Sequence, residues 1–540
     1  MPAARLLASF PQEELTTTNR LLADYQHRQA GILECFDQHP DQLIAFASRT
    51  HAYTDRSRLA DALTAFQQNL GAAEDSVNAA RLLADPATLV VTVGQQSGLL
   101  TGPLYTIYKA ITALNIARQL ARELGRPVVP VFWAATDDDD RSEADHCAFL
   151  DQHFTPHTLR YSETFGSPGS LIGDLPTDDA GEHVLAEVMP LIAGLPYADE
   201  VGALLHDTLH ASADMGEWFC RLLVRLFSSW GMVVCDPRLS ELRQLSAEIL
   251  RRELSSPLVT TAAVNARARD LRRMGYRPQL TKPDDVCNVF YLDHRRQRIA
   301  YRNGKYVLGD AELSADEVLA RVADHPTQFM PNAVLRPVVQ EYLFSSAAFV
   351  TGPNELGYWA ELQPVFAALH VTMPVVVPRA AAAIVPHNVN RFLQKWEIPY
   401  PDMVQDFDTV RSVVLEKIEP AAVRQQFQYS RETVEHIVSA LTGVVTQVDK
   451  TLAQSALASH QRMLNELERL ERKTQKAVER QSADVMARLD LAHEVLCPHG
   501  GLQERDINVF SMCAHFGFDV LQNLRTLLDK EEGKHVVVEL

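Results

Sequence analysis

Four consecutive aspartates, Asp137 to Asp140, stand inside "WAATDDDDRSEADH". Carboxylates clustered in this way can bind Mg²⁺, hold a substrate ammonium, or supply a base whose pKa is raised by its neighbours. Two further stretches carry groups able to grip a small molecule. "VTVGQQSGLLTGPLYTIYKA", residues 91–110, spaces Gly94, Gly98 and Gly102 four apart and enters a helix through Thr101-Gly102-Pro103. "VTGPNELGYWAEL" repeats the motif as Thr351-Gly352-Pro353. Glycines let backbone N–H groups approach a ligand, proline suits a first helical turn, and a helix N-terminus favours an anion. Gln95, Gln96 and Thr101 add neutral donors and acceptors suited to a carboxylate, hydroxyls or a sugar, and Tyr105 and Lys109 follow on the helix. Asn354, Glu355 and Tyr358 line the second turn at helical spacing, and Arg336 in "PNAVLRPVVQEYL" is a fork-shaped partner for carboxylate or phosphate. Each feature has a plain alternative: a capped turn, or a solvated aspartate run with one member capping the next helix.

Other chemistries lack their patterns. The chain has neither G-x-x-x-x-G-K-[ST] nor G-x-G-x-x-G for phosphates, and no G-x-S-x-G nucleophile elbow. His493, Cys497, His499, Cys513 and His515 gather near the C-terminus without a zinc-finger spacing, so no metal site is expected there.

The elements that must position these groups are legible as texture. Residues 1–85 read as helical. Short valine-rich runs follow at 88–93, 128–134, 231–235, 347–351 and 373–377, the pattern of parallel strands buried on both faces. A helix closed by Gly125 separates the first two, giving a right-handed crossover. The expected fold is a Rossmann-like doubly wound α/β core over 86–420, with insertions near 150–225 and 240–345. The second insertion holds a hairpin turning at Asn303-Gly304. Open α/β sheets bind ligands beyond the carboxyl ends of their strands, which is where the aspartates and both Thr-Gly-Pro turns fall. From 421 to 496 the apolar positions Val434, Ile437, Leu441, Val444 and Val448, then Leu464, Leu467 and Leu470, mark a long helix or coiled coil. A tail, 497–540, ends in the strand-like "HVVVEL" and is expected to return to the body.

A length of 540 residues exceeds one ordinary core. The net charge of −18 argues against a broad nucleic-acid or anionic-membrane surface, while leaving room for a small anion in a local pocket. No apolar run approaches a membrane span, and "MPAARLLASFPQEEL" lacks a signal-peptide core. Seven scattered cysteines, an odd number, suit reduced thiols in a cytoplasm.

Together the stretches at 94–110, 127–146, 330–343 and 350–366, extended by "MPVVVPR" at 373–379, resemble the cysteine-adding enzymes of bacillithiol biosynthesis. The resemblance implies a Rossmann-like core with two insertions, a C-terminal coiled coil and a homodimer. It also implies a ligase that joins L-cysteine to the amine of glucosaminyl-malate, and it leaves ATP and Mg²⁺ open as cofactors. In one place the chain departs from the family. The acidic motif there reads Glu-Asp-His-Asp, whereas here Asp137 replaces the glutamate and Asp139 the histidine. No histidine base carries over, and Asp138 and Asp140 become the catalytic candidates. Two alternatives stand beside this reading: a nucleotidyl-transferring or synthetase-like enzyme on the same core, and a coiled-coil scaffold that senses a metabolite. The first lacks His-x-Gly-His and Lys-Met-Ser-Lys-Ser, and the polar strand ends disfavour the second.

Overall fold

A computed structural model describes the chain except residues 1–3, 16–18, 49–52, 162–169, 294, 419–420 and 532; residues 162–169 of the first expected insertion thus lie outside the description. The five valine-rich runs form one parallel sheet: β1 (Leu89–Gln96), β2 (Val128–Ala135), β3 (Val233–Cys235), β4 (Ala348–Thr351) and β5 (Val375–Pro378). Their order is β5-β4-β1-β2-β3. β1 and β2 are in register from Leu89 opposite Val128 to Gln96 opposite Ala135. Nearly every residue of these strands is buried, because helices cover both faces. This is the doubly wound order, and its switch point lies between β1 and β4. The chain leaves β1 into helix α1 (Leu104–Leu124) and β4 into helix α3 (Glu355–Ala368). The two Thr-Gly-Pro turns therefore flank the switch point on adjacent strands.

Between β2 and β3 the first insertion contains the hairpin of strands His146–Leu150 and Pro156–Arg160 and the helices Asp178–Ile192, Ala198–His210 and Met215–Phe227. Between β3 and β4 the second carries a five-stranded antiparallel sheet. Its central hairpin pairs Arg302 with Lys305, so Asn303-Gly304 is the turn. Both turn residues have positive φ, 52° and 79°, as a right-twisted two-residue hairpin requires. Helix α2 (Arg336–Phe344) leads from this insertion back to β4.

The N-terminal region is not helical throughout. Arg5–Pro11 is a strand, paired antiparallel with Lys534–Glu539 in a three-stranded sheet completed by Ala381–Val385. "RLLASFP" is too short to show a period of its own, and only its partner near the other end of the chain makes it a strand.

The chain divides into two compact units, 1–384 with 501–540, and 385–500. The division precedes the boundary near 421 expected from periodicity. From His387 on, the described residues of the second unit form helices and their connections. Helices α4 (Ala421–Val448) and α5 (Leu452–Gln481) fold back on each other across a turn in which Asp449 accepts from the Thr451 N–H and hydroxyl. Arg431 on α4 pairs with Glu471 on α5. Ala483–Leu496 follows, with Arg411 bound to Asp490 at 2.5 Å and the His493 ring stacked 3.8 Å from Phe407.

Candidate functional site

The loop after β1 doubles back on itself. Gly98 and Gly102 pack so closely that a Cβ on Gly98 would lie 3.1 Å from the Gly102 Cα. Leu100 and Thr101 adopt left-handed φ values of 51° and 76°, a conformation that costs a residue with a side chain on the order of 1–3 kcal/mol. A distant residue holds it there. Asn508, wholly buried, donates its amide to the Leu100 carbonyl at 2.7 Å and the Gly102 carbonyl at 2.9 Å. The Leu104 N–H, at the start of α1, donates to the Ile507 carbonyl at 2.8 Å. The rest of this C-terminal segment is anchored as firmly. Gln503 bonds both backbone groups of Ile384, and Glu504 pairs with Arg379 at 2.6 Å with both side chains buried.

The second Thr-Gly-Pro turn is closed from within. The Gly352 N–H donates to Glu355 Oε2 at 2.8 Å, so the protein's own carboxylate occupies this helix start. Glu355 Oε1 in turn accepts from Lys109 Nζ at 2.5 Å. The same ammonium donates to Gln95 Oε1 at 2.7 Å and the Gly94 carbonyl at 3.0 Å. Lys109 thereby ties the two turns together across the switch point.

Two cavities open on either side of this tie and share Gln95, Asn354 and Glu355 as a wall. The first, of about 280 Å³, is lined by Tyr105, Lys109, His146, Arg379 and Arg505. Cations outnumber carboxylates there. Arg379 lies 5.8 Å over the Tyr105 ring, and the Arg505 side chain forms no ion pair among the described residues. His146 sets Nδ1 2.7 Å from an Asp145 carboxylate oxygen. The second cavity, of about 300 Å³, is lined by Gln96, Trp133, Asp138, Arg336, Gln340 and Tyr358.

The four aspartates share no common role. Asp137 is buried, and desolvation raises its pKa although Arg336 lies 3.8 Å away. Burial would also raise Asp138, but the Arg336 guanidinium at 3.1 Å and the Gln96 amide at 3.0 Å outweigh it and hold this carboxyl well below the usual range. Asp139 is held by Arg296, which reaches in from the second insertion and packs 4.6 Å over Phe290. Asp140 is exposed and caps the one-turn helix Arg141–Ala144, accepting from the Ser142 N–H at 3.1 Å and hydroxyl at 2.6 Å.

Of the residues expected from sequence, Gln95, Gln96, Tyr105, Lys109, Asp138, Arg336, Gly352, Asn354, Glu355 and Tyr358 meet at the two cavities. Thr101, Gly102 and Thr351 lie beneath the surface and shape the turns without lining either cavity, and Asp140 stands outside both. Sequence reasoning assigned no role to His146, Arg379, Arg505, Trp133 or Gln340. His146 and Arg379 close two of the stretches singled out above; Trp133 reads as strand core, and Arg505 and Gln340 carry no signal of their own.

Residues 10–380 match the family model "Bacillithiol biosynthesis BshC, N-terminal Rossmann-like domain" and residues 382–540 the model "Bacillithiol biosynthesis BshC, C-terminal coiled-coil domain". Proteins named "Putative cysteine ligase BshC" are similar along most of the chain. The one from Salinibacter ruber is 33% identical over 92% of this chain and 91% of its own length. That from Symbiobacterium thermophilum is 31% identical over 89% of both. That from Bacillus cytotoxicus is 28% identical over 96% of this chain and 98% of its own. With the Rossmann-like body, its insertions and the helical hairpin all matched, the chain belongs to the BshC family of bacillithiol biosynthesis.

Proposed function

We propose that this chain is a cytoplasmic cysteine ligase that joins L-cysteine to the amine of glucosaminyl-malate through an amide bond. The relatives' names support the cysteine and the ligation. The observation that carries the reading is the pair of cavities sharing one wall, the first rich in cations, as two substrates of different charge require. Arg505, which forms no ion pair among the described residues, suits a malate carboxylate, a bidentate guanidinium contact being the strongest available. In the reaction the sugar nitrogen bonds to the cysteine carboxyl carbon, one carboxylate C–O bond breaks, and the departing oxygen leaves as water with the two protons that the ammonium gives up. His146, which lines the first cavity and sets one ring nitrogen on Asp145, is the proposed proton acceptor. Asp138, kept ionised beside Arg336, is a fixed negative charge for an ammonium and a poor base.

ATP with Mg²⁺ is the obvious activator for such a bond, but the residues present do not fit a polyphosphate at the helix starts. The Gly352 and Leu104 N–H groups are already taken by Glu355 and Ile507, and the aspartates are tied to Arg336, Arg296 and Ser142. No step is therefore routed through a nucleotide. A second copy of the chain is the proposed partner, joined through the helical hairpin, whose Leu441, Val444 and Leu470 stay exposed. Seven free cysteines, all buried, suit a reducing compartment, and no helix among the described residues is long and apolar enough to cross a membrane.

The test is incubation of the purified chain with L-cysteine and glucosaminyl-malate, with product followed by mass spectrometry and binding by calorimetry. Binding of glucosaminyl-malate and formation of the cysteinyl amide are expected. Heat with an unrelated sugar phosphate but none with glucosaminyl-malate would overturn the assignment.

A further inference from the structure

We infer that Arg238, which lines neither cavity, is a positioning residue of the proposed ligase: it holds the first insertion against the end of β2 so that Asp138 keeps its place in the second cavity. The inference rests on the ligase reading above. Arg238 follows β3, and its side chain is 14% exposed. Three carboxylates from separate parts of the body share its guanidinium. Nε and Nη2 donate to Asp236, just past β3, at 2.8 to 3.2 Å. Nη1 donates to Asp174 at 2.9 Å, and Nη1 and Nη2 donate to Asp214 at 3.1 and 3.0 Å. Asp174 and Asp214 both belong to the first insertion. A rigid planar fork reaches all three at once, which the point charge of a lysine does not reproduce.

The same cluster grips β2. Asp236 Oδ1 also accepts from the buried Thr136 hydroxyl at 2.6 Å, one residue past the strand. Beside it the insertion lies directly on the backbone that carries the aspartates. The Gly173 N–H donates to the Thr136 carbonyl and the Ile172 N–H to the Asp138 carbonyl, each at 2.9 Å. The packing leaves no room for a side chain. A Cβ on Gly173 would lie 2.5 Å from the Thr136 oxygen, and one on Gly216 would lie 2.4 Å from Arg238 Nη2. Asp138 is thus fixed at both ends, its carboxylate by Arg336 and Gln96 and its carbonyl by Ile172. Ile172 and Gly173 keep that grip because Asp174, the next residue, is fastened to Arg238. A charge that must meet an ammonium loses rate steeply when displaced, on the order of 10²-fold for an ångström. Arg238 prevents that displacement without touching a substrate.

The experiment combines amide hydrogen exchange with steady-state kinetics on the full chain, under the conditions in which the wild type forms the cysteinyl amide. The proteins are the wild type, Arg238→Lys, Gly173→Ala and Asp174→Asn. Arg238→Lys keeps the charge and removes the fork, whereas Gly173→Ala pushes the insertion off β2 and alters no charge. Both should exchange the Ile172 and Gly173 amides faster than the wild type. In both, kcat per folded molecule should fall at least about tenfold while KM for glucosaminyl-malate stays within about twofold, its malate end being held in the first cavity. Asp174→Asn removes a partner whose side chain is 57% exposed, so the fold is retained, and kcat should fall about threefold. A purely structural cluster would lower the folded fraction and leave kcat per folded molecule at the wild-type value. That result, a rise in KM alone, or wild-type exchange at Ile172 and Gly173 in Arg238→Lys would overturn the inference. A wild type that forms no amide is a different result, which removes the ligase reading and this inference with it.

Discussion

Asp138 and Asp140 are two residues apart, yet their surroundings give them different work. Asp138 neutralises Arg336 in a nearly enclosed place, whereas Asp140 caps a turn in solvent. Asp138→Asn should remove most product formation and, by leaving the buried Arg336 with only Asp137 at 3.8 Å to answer it, cost about 1–3 kcal/mol on denaturant unfolding. Asp140→Asn should be close to neutral in both assays, because asparagine caps helices as well as aspartate does. Near-normal turnover in Asp138→Asn would remove it from the site.

Glu341 provides a second test at this scale. It is buried with no cation paired to it among the described residues, accepts the Ser346 N–H at 2.8 Å, and desolvation pushes its pKa up to about 7. A carboxyl raised in the folded state contributes stability that is complete below its unfolded value near 4.5 and lost as pH rises through 7. Glu341→Gln has no proton to lose. Its stability relative to the wild type should therefore improve between pH 5 and pH 8, by roughly 2–3 kcal/mol. An unfolding free-energy difference that stays flat across this range would refute the shift.

Among the elements, the loop after β1 depends most on a partner far away in sequence. Its two left-handed non-glycine residues are held by Asn508, which belongs to a segment pinned by Gln503 and Glu504. Asn508→Ala should cost about 1–3 kcal/mol, since two buried carbonyls lose their donor. Amide hydrogen exchange should then rise across residues 98–104 while the far end of α1 stays protected. Uniform exchange throughout α1 would mean that the loop holds itself. Glu504→Gln should be harsher, about 3–5 kcal/mol, because it strands Arg379 in the interior.

For the whole molecule, the open question of assembly rests on the hairpin of α4 and α5. The two helices answer part of each other's apolar surface: Val438 is buried, and Leu464 and Leu467 are half-buried. The stripe on α4 continues past that seam, with Leu441 56% and Val444 62% exposed. The proposed partner of this stripe is a second copy, which would meet helices already formed and so at little entropic cost. Light scattering should give a dimer for the wild type and a monomer for the double variant Leu441→Asp, Val444→Asp. A monomeric wild type, or a dimer indifferent to both charges, would place the interface elsewhere.

The sequence by itself determined the sheet and where its ligand-facing ends lie. Strands buried on both faces must be apolar throughout, and turns that start helices need glycine and proline, so β1 to β5 and both Thr-Gly-Pro motifs were readable locally. The polar residues beside those turns were readable for the same reason. What each polar group does was decided by tertiary structure, because charge and burial depend on neighbours that spacing does not reveal. Arg336 holds Asp138 from 198 residues away and Arg296 holds Asp139 from 157 residues away. Asn508 holds a loop 406 residues behind it, and Lys534–Glu539 turns Arg5–Pro11 into a strand. Arg505 becomes a cavity cation only because the chain returns to the switch point after the helical hairpin. Local sequence carries period and turn chemistry; contacts between its distant parts exist only once the backbone has closed.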